Sequence, residues 1–280
     1  MKIGGRGVPE IRGASICLTW YNGGEQYPSG PSGNRGTGFP VTGSVDPKQY
    51  KGEENQMLRA VIFDFDGLIL DTETAGYRTF AEMFAAYDAQ LPLDLWARAI
   101  GSSDHHDEIY DHLEAAAGHK LDRETLERER REKKISLIAR EKALPGVRSV
   151  LEQAGELGWK IGLASSSDRA WVEGHLEKLG LRHYFSCLCN REDVERTKPD
   201  PALYLQAAKC LGVDPSEAVA LEDSPNGALA AKRAGMRCII VPNRVTRSLS
   251  FGEVDLRLSS LEELNLREWA QTCPVREEQR

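Results

Sequence analysis

This 280-residue chain has no excess of basic charge, no paired-cysteine motif and no long apolar run. Its 36 Lys and Arg are outnumbered by 43 Asp and Glu, which gives a formal net charge of -7. Nucleic acid and anionic membrane surfaces select for a basic face, so neither is expected as a partner. No apolar stretch approaches the roughly 20 residues that span a bilayer, and the first residues lack the continuous apolar segment of a signal peptide. A cytoplasmic location is therefore expected, and nothing in the sequence calls for an obligate protein partner. The six cysteines (Cys17, Cys187, Cys189, Cys210, Cys238, Cys273) include no C-x-x-C pair, and Cys187 and Cys189 stand at strand spacing in an apolar run. They read as reduced, mostly buried thiols, not as a disulfide framework or a zinc site. Sustained periodicity is also missing from residues 1–56, which are rich in Gly, Ser, Pro and Asn. That extension reads as disordered or foreign to the fold, or else as the product of a start site upstream of Met57.

What the chain does contain is organised around V-I-F-D-F-D-G-L, Val61 to Leu68. A short apolar and β-branched run breaks off there into two carboxylates and a glycine. A strand buried on both faces is apolar throughout, so Asp64 and Asp66 ionise only where the strand meets a cleft at its carboxyl end. Side chains two apart share a side of a strand, which turns both carboxylates to one point. Gly67 then allows a sharp turn and a close approach of backbone to ligand.

From Asp71 to Ala143 the pattern is helical. Phe80, Met83, Phe84 and Tyr87 fall on one helix face; Trp96 with Ile100, and Ile109 with Leu113 and Ala116, mark two shorter helices. The charged stretch Leu121 to Ala143 reads as a solvated helix face. From Leu144 onward strands and helices alternate, with strands expected at Lys160 to Ala164, Phe185 to Cys189, Ala218 to Glu222 and Cys238 to Val241, the signature of a parallel α/β sheet. Asp168 and Gly180, Asp200-Pro201 and Gly212, and Gly235 mark helix ends, and Ser260 with Glu263 has capping-box spacing for a last helix.

Each later strand ends in polar residues. Ser165, Ser166 and Ser167 follow the second; they serve either as helix caps, with Asp168, or as an anion site at a helix N-terminus. Lys198 stands on an extended turn before Pro199. Glu222 and Asp223 end the fourth strand, where a buried strand rarely stops on two acids without a cation or a basic partner.

Two aspartates, a serine, a lysine and an acidic pair, in that order on successive strand ends, resemble the haloacid dehalogenase superfamily of phosphotransferases. The resemblance covers Met57 to about Leu261 through D-F-D-G-L, the serine of L-A-S-S-S, the lysine of T-K-P-D-P, and L-E-D-S-P-N-G. It implies an α/β fold, a doubly wound, Rossmann-like parallel sheet core over 57–71 and 144–261, with an inserted all-helical cap over 72–143 and a C-terminal helix and tail over 262–280. The cap is similar to that of the subgroup containing β-phosphoglucomutase, phosphoglycolate phosphatase and pseudouridine monophosphate phosphatase. The resemblance further implies a Mg²⁺-dependent phosphatase acting on a small phosphorylated metabolite, a sugar or nucleotide-like phosphomonoester. Asp64 would be the nucleophile that forms an aspartyl-phosphate, and Asp66 the general acid and then base. Ser165, Ser166 and Lys198 would bind the phosphoryl oxygens. Asp64, the main-chain carbonyl of Asp66, and Asp223 would hold the metal, with Glu222 a ligand or one water removed.

The nearest rival is a phosphomutase of the β-phosphoglucomutase type; a receiver-like signalling domain is more distant, since it needs no lid. Thr72, near the cap hinge, matches the mutases. Gly76 and Asp104 depart from them, standing where mutases carry a histidine and an arginine. In the loop Gly101 to Asp107, His105 and His106 read as solvated histidines; His105, with Thr72 and Asp104, is also a candidate substrate contact.

Overall fold

The computed structural model describes residues 58–100 and 106–273. The reading of residues 1–56, together with Asp104 and His105, lies outside the described residues. The element order is β1 (Ala60–Phe63), α1 (Glu73–Ala85), α2 (Leu93–Ala99), α3 (His106–Ala117), α4 (Arg123–Ile138), α5 (Val147–Glu156), β2 (Lys160–Ala164), α6 (Arg169–Lys178) and β3 (Cys187–Cys189), and then α7 (Ala202–Leu211), β4 (Ala218–Glu222), α8 (Pro225–Arg233), β5 (Arg237–Ile240), β6 (Leu256–Arg257) and α9 (Leu266–Thr272).

All six strands pair in parallel, in the order β3-β2-β1-β4-β5-β6. Alternate side chains feed two cores, as the period of two demands. Val61, Phe63, Leu163, Val219 and Leu221 pack with α5 and with Leu264 and Leu266 on one face. Ala60, Ile62, Ala220 and Ile240 pack with Leu203, Ala207 and Ala231 of α7 and α8 on the other. The chain direction across the sheet reverses between β1 and β4, the switch point where such sheets open a crevice at their carboxyl ends. Helices α1 to α4 leave the sheet there and form a third core around Phe80, Phe84, Trp96, Ile109 and Leu113.

Three expectations on elements are corrected. The third strand begins at Cys187, because Arg182–Tyr184 turns as a 3-10 helix that Phe185 closes. Ser260 caps only a 3-10 turn, Leu261–Glu263, whereas the last helix starts behind Asn265, whose side chain accepts from the Glu268 N–H at 3.2 Å. The short strand β6 has no counterpart among the expected strands. The thiol reading is corrected too: Cys187 is disulfide-bonded to Cys210, their Cα atoms 6.2 Å apart, because α7 packs against β3 and brings together two residues 23 apart in sequence. Cys189 and Cys238 are buried and free, as expected.

Candidate active site

The carboxyl ends of β1, β2 and β4 meet around one buried lysine. Lys198, 1% exposed, donates to Asp64 Oδ1 at 2.5 Å and to Glu222 Oε1 at 2.6 Å. Burial opposes its charge, but Asp64 and Glu222 outweigh that and hold its pKa above the ordinary lysine value. The Lys198–Pro199 peptide is cis.

Glu222 is the anchor of this arrangement. Its Oε1 also accepts from the Tyr204 hydroxyl at 2.6 Å, and its Oε2 accepts from Asp223 N–H, Ser224 N–H and Ser224 Oγ at 3.1–3.3 Å. Both oxygens are therefore spent on protein donors. L-E-D-S-P-N-G owes its glycine to the same carboxylate, because a Cβ at Gly227 would collide with Glu222 Oε1. Ser224 caps α8 through the Gly227 N–H at 3.1 Å, and Pro225 occupies the first turn, where no N–H is needed.

Asp64, Glu222 and Asp223 are all buried, with carboxylate oxygens within 4.8 Å of one another. Burial first, then mutual repulsion, raises the Asp223 pKa well above the ordinary value; burial likewise raises that of Asp64 against the pull of Lys198. One lysine does not balance three buried acids, and hard oxygen donors suit Mg²⁺, so the residues present fit a divalent cation. Asp64 and Asp223 are the side chains able to hold it. Asp223 Oδ2 also accepts from Asn243 Nδ2 at 2.6 Å. Gly67 has φ of 86°, the turn expected of it, and a Cβ there would strike the side chains of Asp223 and Asn243.

Asp66 is held differently. Its Oδ1 accepts from Thr72 Oγ1 at 2.7 Å and Trp171 Nε1 at 3.1 Å, and its Oδ2 from Ser167 Oγ at 2.6 Å and Ser165 Oγ at 3.5 Å. Every one of these donors is neutral. Ser165 Oγ in turn accepts from the Ser167 N–H at 3.0 Å. Thr72 is fully buried and donates to Asp66.

A cavity of about 230 Å³ joins Asp64, Asp66, Ser165, Ser166 and Ser167 to residues of α1 to α4, among them Glu73, Trp96, His106, Arg130 and Lys134. A wider cleft of about 710 Å³ lies against the end of α4 and the start of α5, and no residue of the strand ends lines it. Two expectations fail at the smaller cavity. His106 opens α3 with its ring 5.4 Å from that of Phe80, and burial, then Arg130, lowers its pKa to about 4; it is a packed neutral ring, not a solvated loop histidine. The charged helix α4 is not merely solvated either. Arg130, 7% exposed, lies over the Phe80 ring at 4.3 Å and is clamped by Glu127 at 2.5 and 2.8 Å. Glu127, Arg130, Arg131 and Lys134 stand at helical spacings of three, four and seven, a charged stripe on one face, which is the signal that would have found them.

Glu73, in the first turn of α1, is buried, and that burial raises its pKa to about 7 against the pull of Lys134. Between its ordinary 4.5 and about 7 the folded chain keeps a proton that the unfolded chain has lost, so stability falls as pH rises through that window. Glu73→Gln is expected to flatten this part of the melting temperature–pH curve. A variant curve parallel to that of the parent would assign the slope to another group.

A doubly wound sheet that gathers aspartates, a lysine and serines at its switch point under a helical block defines an enzyme active site of the phosphoryl-transfer type. The comparisons narrow the class. The profile of the haloacid dehalogenase-like hydrolases matches residues 61–241. The protein YhcW of Bacillus subtilis (strain 168) is 50% identical over 210 residues, 75% of this chain and 95% of that one. Hexitol phosphatase B of Escherichia coli (strain K12) is 34% identical over 232 residues, 76% and 97% of the two chains. The crystal structure of CbbY from Rhodobacter sphaeroides in complex with phosphate superposes with a TM-score of 0.61 at 30% identity, covering 74% of this chain and 96% of that one. The chain belongs to the haloacid dehalogenase-like hydrolases, and within them it is a phosphoric monoester hydrolase.

Proposed function

We propose that the chain hydrolyses a small phosphomonoester of a polyhydroxylated metabolite, a sugar or polyol phosphate, through an aspartyl-phosphate on Asp64. The observation that carries this is the unequal environment of the two aspartates. Asp64 faces a buried ammonium group, which opposes the burial that raises its pKa, and a divalent cation there would add to that pull toward an anionic nucleophile. Asp66 is held by hydroxyls and an indole N–H alone, which leaves it able to give and take a proton. An oxygen of Asp64 attacks phosphorus as the bond to the substrate oxygen breaks, and Asp66 protonates that leaving oxygen. Water then attacks the phosphoryl group, gives its proton to Asp66 and releases Asp64. Lys198, Ser165 and Ser166 hold the phosphoryl oxygens. Asp64, Asp223 and the main-chain carbonyl of Asp66 would hold Mg²⁺, which would supply the positive charge that lets one anion approach another. Glu222 acts through Lys198, since its oxygens are already engaged.

We read residues 72–143 as a cap that excludes water, which sets the chain apart from receiver domains. The cavity, at about 230 Å³, lies below the roughly 300–1,000 Å³ of drug-sized pockets and suits a small metabolite. The composition supports a cytoplasmic enzyme; the Cys187–Cys210 bridge is the observation that stands against a reducing compartment.

Hydrolysis is favoured over phosphomutation by the way the cap is filled. A Cβ at Gly76 would lie 3.2 Å from the Trp96 ring, so indole occupies the space next to the position where mutases carry histidine. A second phosphate needs fixed positive charge; Arg130 is paired with Glu127, Arg131 with Asp168, Arg98 with Asp94 and Glu108, and Lys120 with Glu114, which leaves Lys134, over the Trp171 ring, as the cap cation lining the cavity to test for that role. The test is to incubate the full chain with Mg²⁺ and a panel of hexitol, pentose and hexose phosphates, with and without chelator. A second arm supplies β-glucose 1-phosphate with a trace of the 1,6-bisphosphate. Phosphate release from one polyol or sugar ester, lost on chelation, is expected. Glucose 6-phosphate formed with little free phosphate would overturn the reading.

A further inference from the structure

Helix α4 and its C-cap meet the core helix α6 at several places, among them Lys178 Nζ on the Ala139 carbonyl oxygen, and two of these contacts lead to Trp171. Arg131 Nη2 approaches Asp168 Oδ2 at 3.4 Å, and Asp168 Oδ1 accepts the backbone N–H of Trp171 at 2.8 Å. Lys134 Nζ lies 5.1 Å from the centroid of the Trp171 ring, within cation–π range. The other side of the indole is fixed by His175, whose ring meets it edge-on at 4.5 Å. From this clamp the indole N–H reaches Asp66 Oδ1 at 3.1 Å.

We propose that Trp171 is a positioning residue for Asp66, and that seating of α4 on its ring through Lys134 and Arg131 sets the orientation in which Asp66 meets the leaving oxygen. The proposal rests on the reading of Asp66 as the acid and base. The chemistry of the four donors gives it content. Hydroxyls of Thr72, Ser165 and Ser167 can donate or accept, whereas an indole N–H only donates. Oδ1, facing Trp171, must therefore remain an acceptor. Oδ2 faces only the hydroxyls of Ser167 and Ser165, which can reverse their hydrogen bonds, so it is the oxygen with the freer donors. Without the indole, Oδ1 keeps only the rotatable hydroxyl of Thr72, and the carboxyl group is held by hydroxyls alone. With a vacant α4 contact, the ring that carries the N–H loses the cation above it. Asp66 is thus aligned fully only when the cap is seated.

The test compares the burst rate of leaving-group release, which reports phosphorylation, for p-nitrophenyl phosphate and for a hexitol phosphate, in the parent, Trp171→Phe, Lys134→Gln and Asp66→Asn. General acid–base catalysis is worth about 10²–10⁴-fold when lost outright; loss of alignment alone should slow the hexitol ester by about tenfold in Trp171→Phe and by less in Lys134→Gln. The p-nitrophenyl ester, whose leaving group needs no proton, should react within about twofold of the parent rate in Trp171→Phe; Lys134 also lines the cavity, so its variant is read on the ratio of the two esters' burst rates. Equal slowing of both esters, or parent behaviour in Trp171→Phe beside a discriminating Asp66→Asn, would overturn the role of Trp171 alone. An Asp66→Asn variant that did not discriminate would overturn the reading of Asp66 and the proposal with it. Lys134→Gln leaves the ring in place, so the comparison survives a Trp171→Phe chain that does not fold.

Discussion

Asp64→Asn is expected to reduce turnover by on the order of 10⁴-fold or more, as removal of the nucleophile does in other covalent enzymes. The amide is nearly isosteric and can still accept from Lys198 through its oxygen, so the fold should survive. It should also melt no lower than the parent when Mg²⁺ is absent, because it removes one of three buried acids that a single lysine leaves unbalanced. Acid-quenched protein should carry no phosphate on the peptide that contains residue 64. Appreciable turnover, or label retained through another side chain, would show that the nucleophile lies elsewhere.

The second large effect is expected at Lys198. Lys198→Met keeps much of the volume and deletes the charge that joins Asp64 to Glu222. Breaking a buried ion pair by removing one partner costs about 3–5 kcal/mol, and here two carboxylates lose their partner at once. The carboxylates can escape that cost by taking up protons, which raises their pKa values above those of the unfolded chain. Stability of the variant, relative to the parent, should then fall as pH rises from the acid side toward neutrality. Urea titrations at several pH values without Mg²⁺ check this. A variant as stable as the parent at neutral pH would mean that Lys198 is held for the phosphoryl group alone and contributes nothing to the buried network.

Much of this was open to reading in the sequence because buried parallel strands have no alternation to blur. A-V-I-F, K-I-G-L-A and A-V-A-L-E run apolar until they reach the crevice, so their ends and their acids stand out together. The edge strand β6 is two residues long and carries no such run. The residues around the reactive groups were less legible. Tyr204 reaches Glu222 from the first turn of α7, and Asn243 reaches Asp223 from a loop after β5. Trp171 looks from sequence like one more apolar residue on a core helix. Its role depends on how the start of α6 is aimed at the end of β1, which is a property of the sheet order and not of local spacing. Cys187 and Cys210 were hidden for the same reason: their meeting is set by α7 lying on β3.

Asn226 donates to the carbonyl oxygens of Ile100 at 2.8 Å and Arg98 at 3.1 Å, from the seven-residue stretch that also carries Glu222. Ile100 caps α2 and Arg98 stands in its last turn. One turn of chain thus grips the lysine network with its first residues and the helical block with its sixth. Lifting the block must hand two main-chain carbonyls to water, while Tyr204, Lys198 and Ser224 keep their hold on Glu222. The grip on the helical block and the hold on the charge at the floor of the site are thus made by different donors.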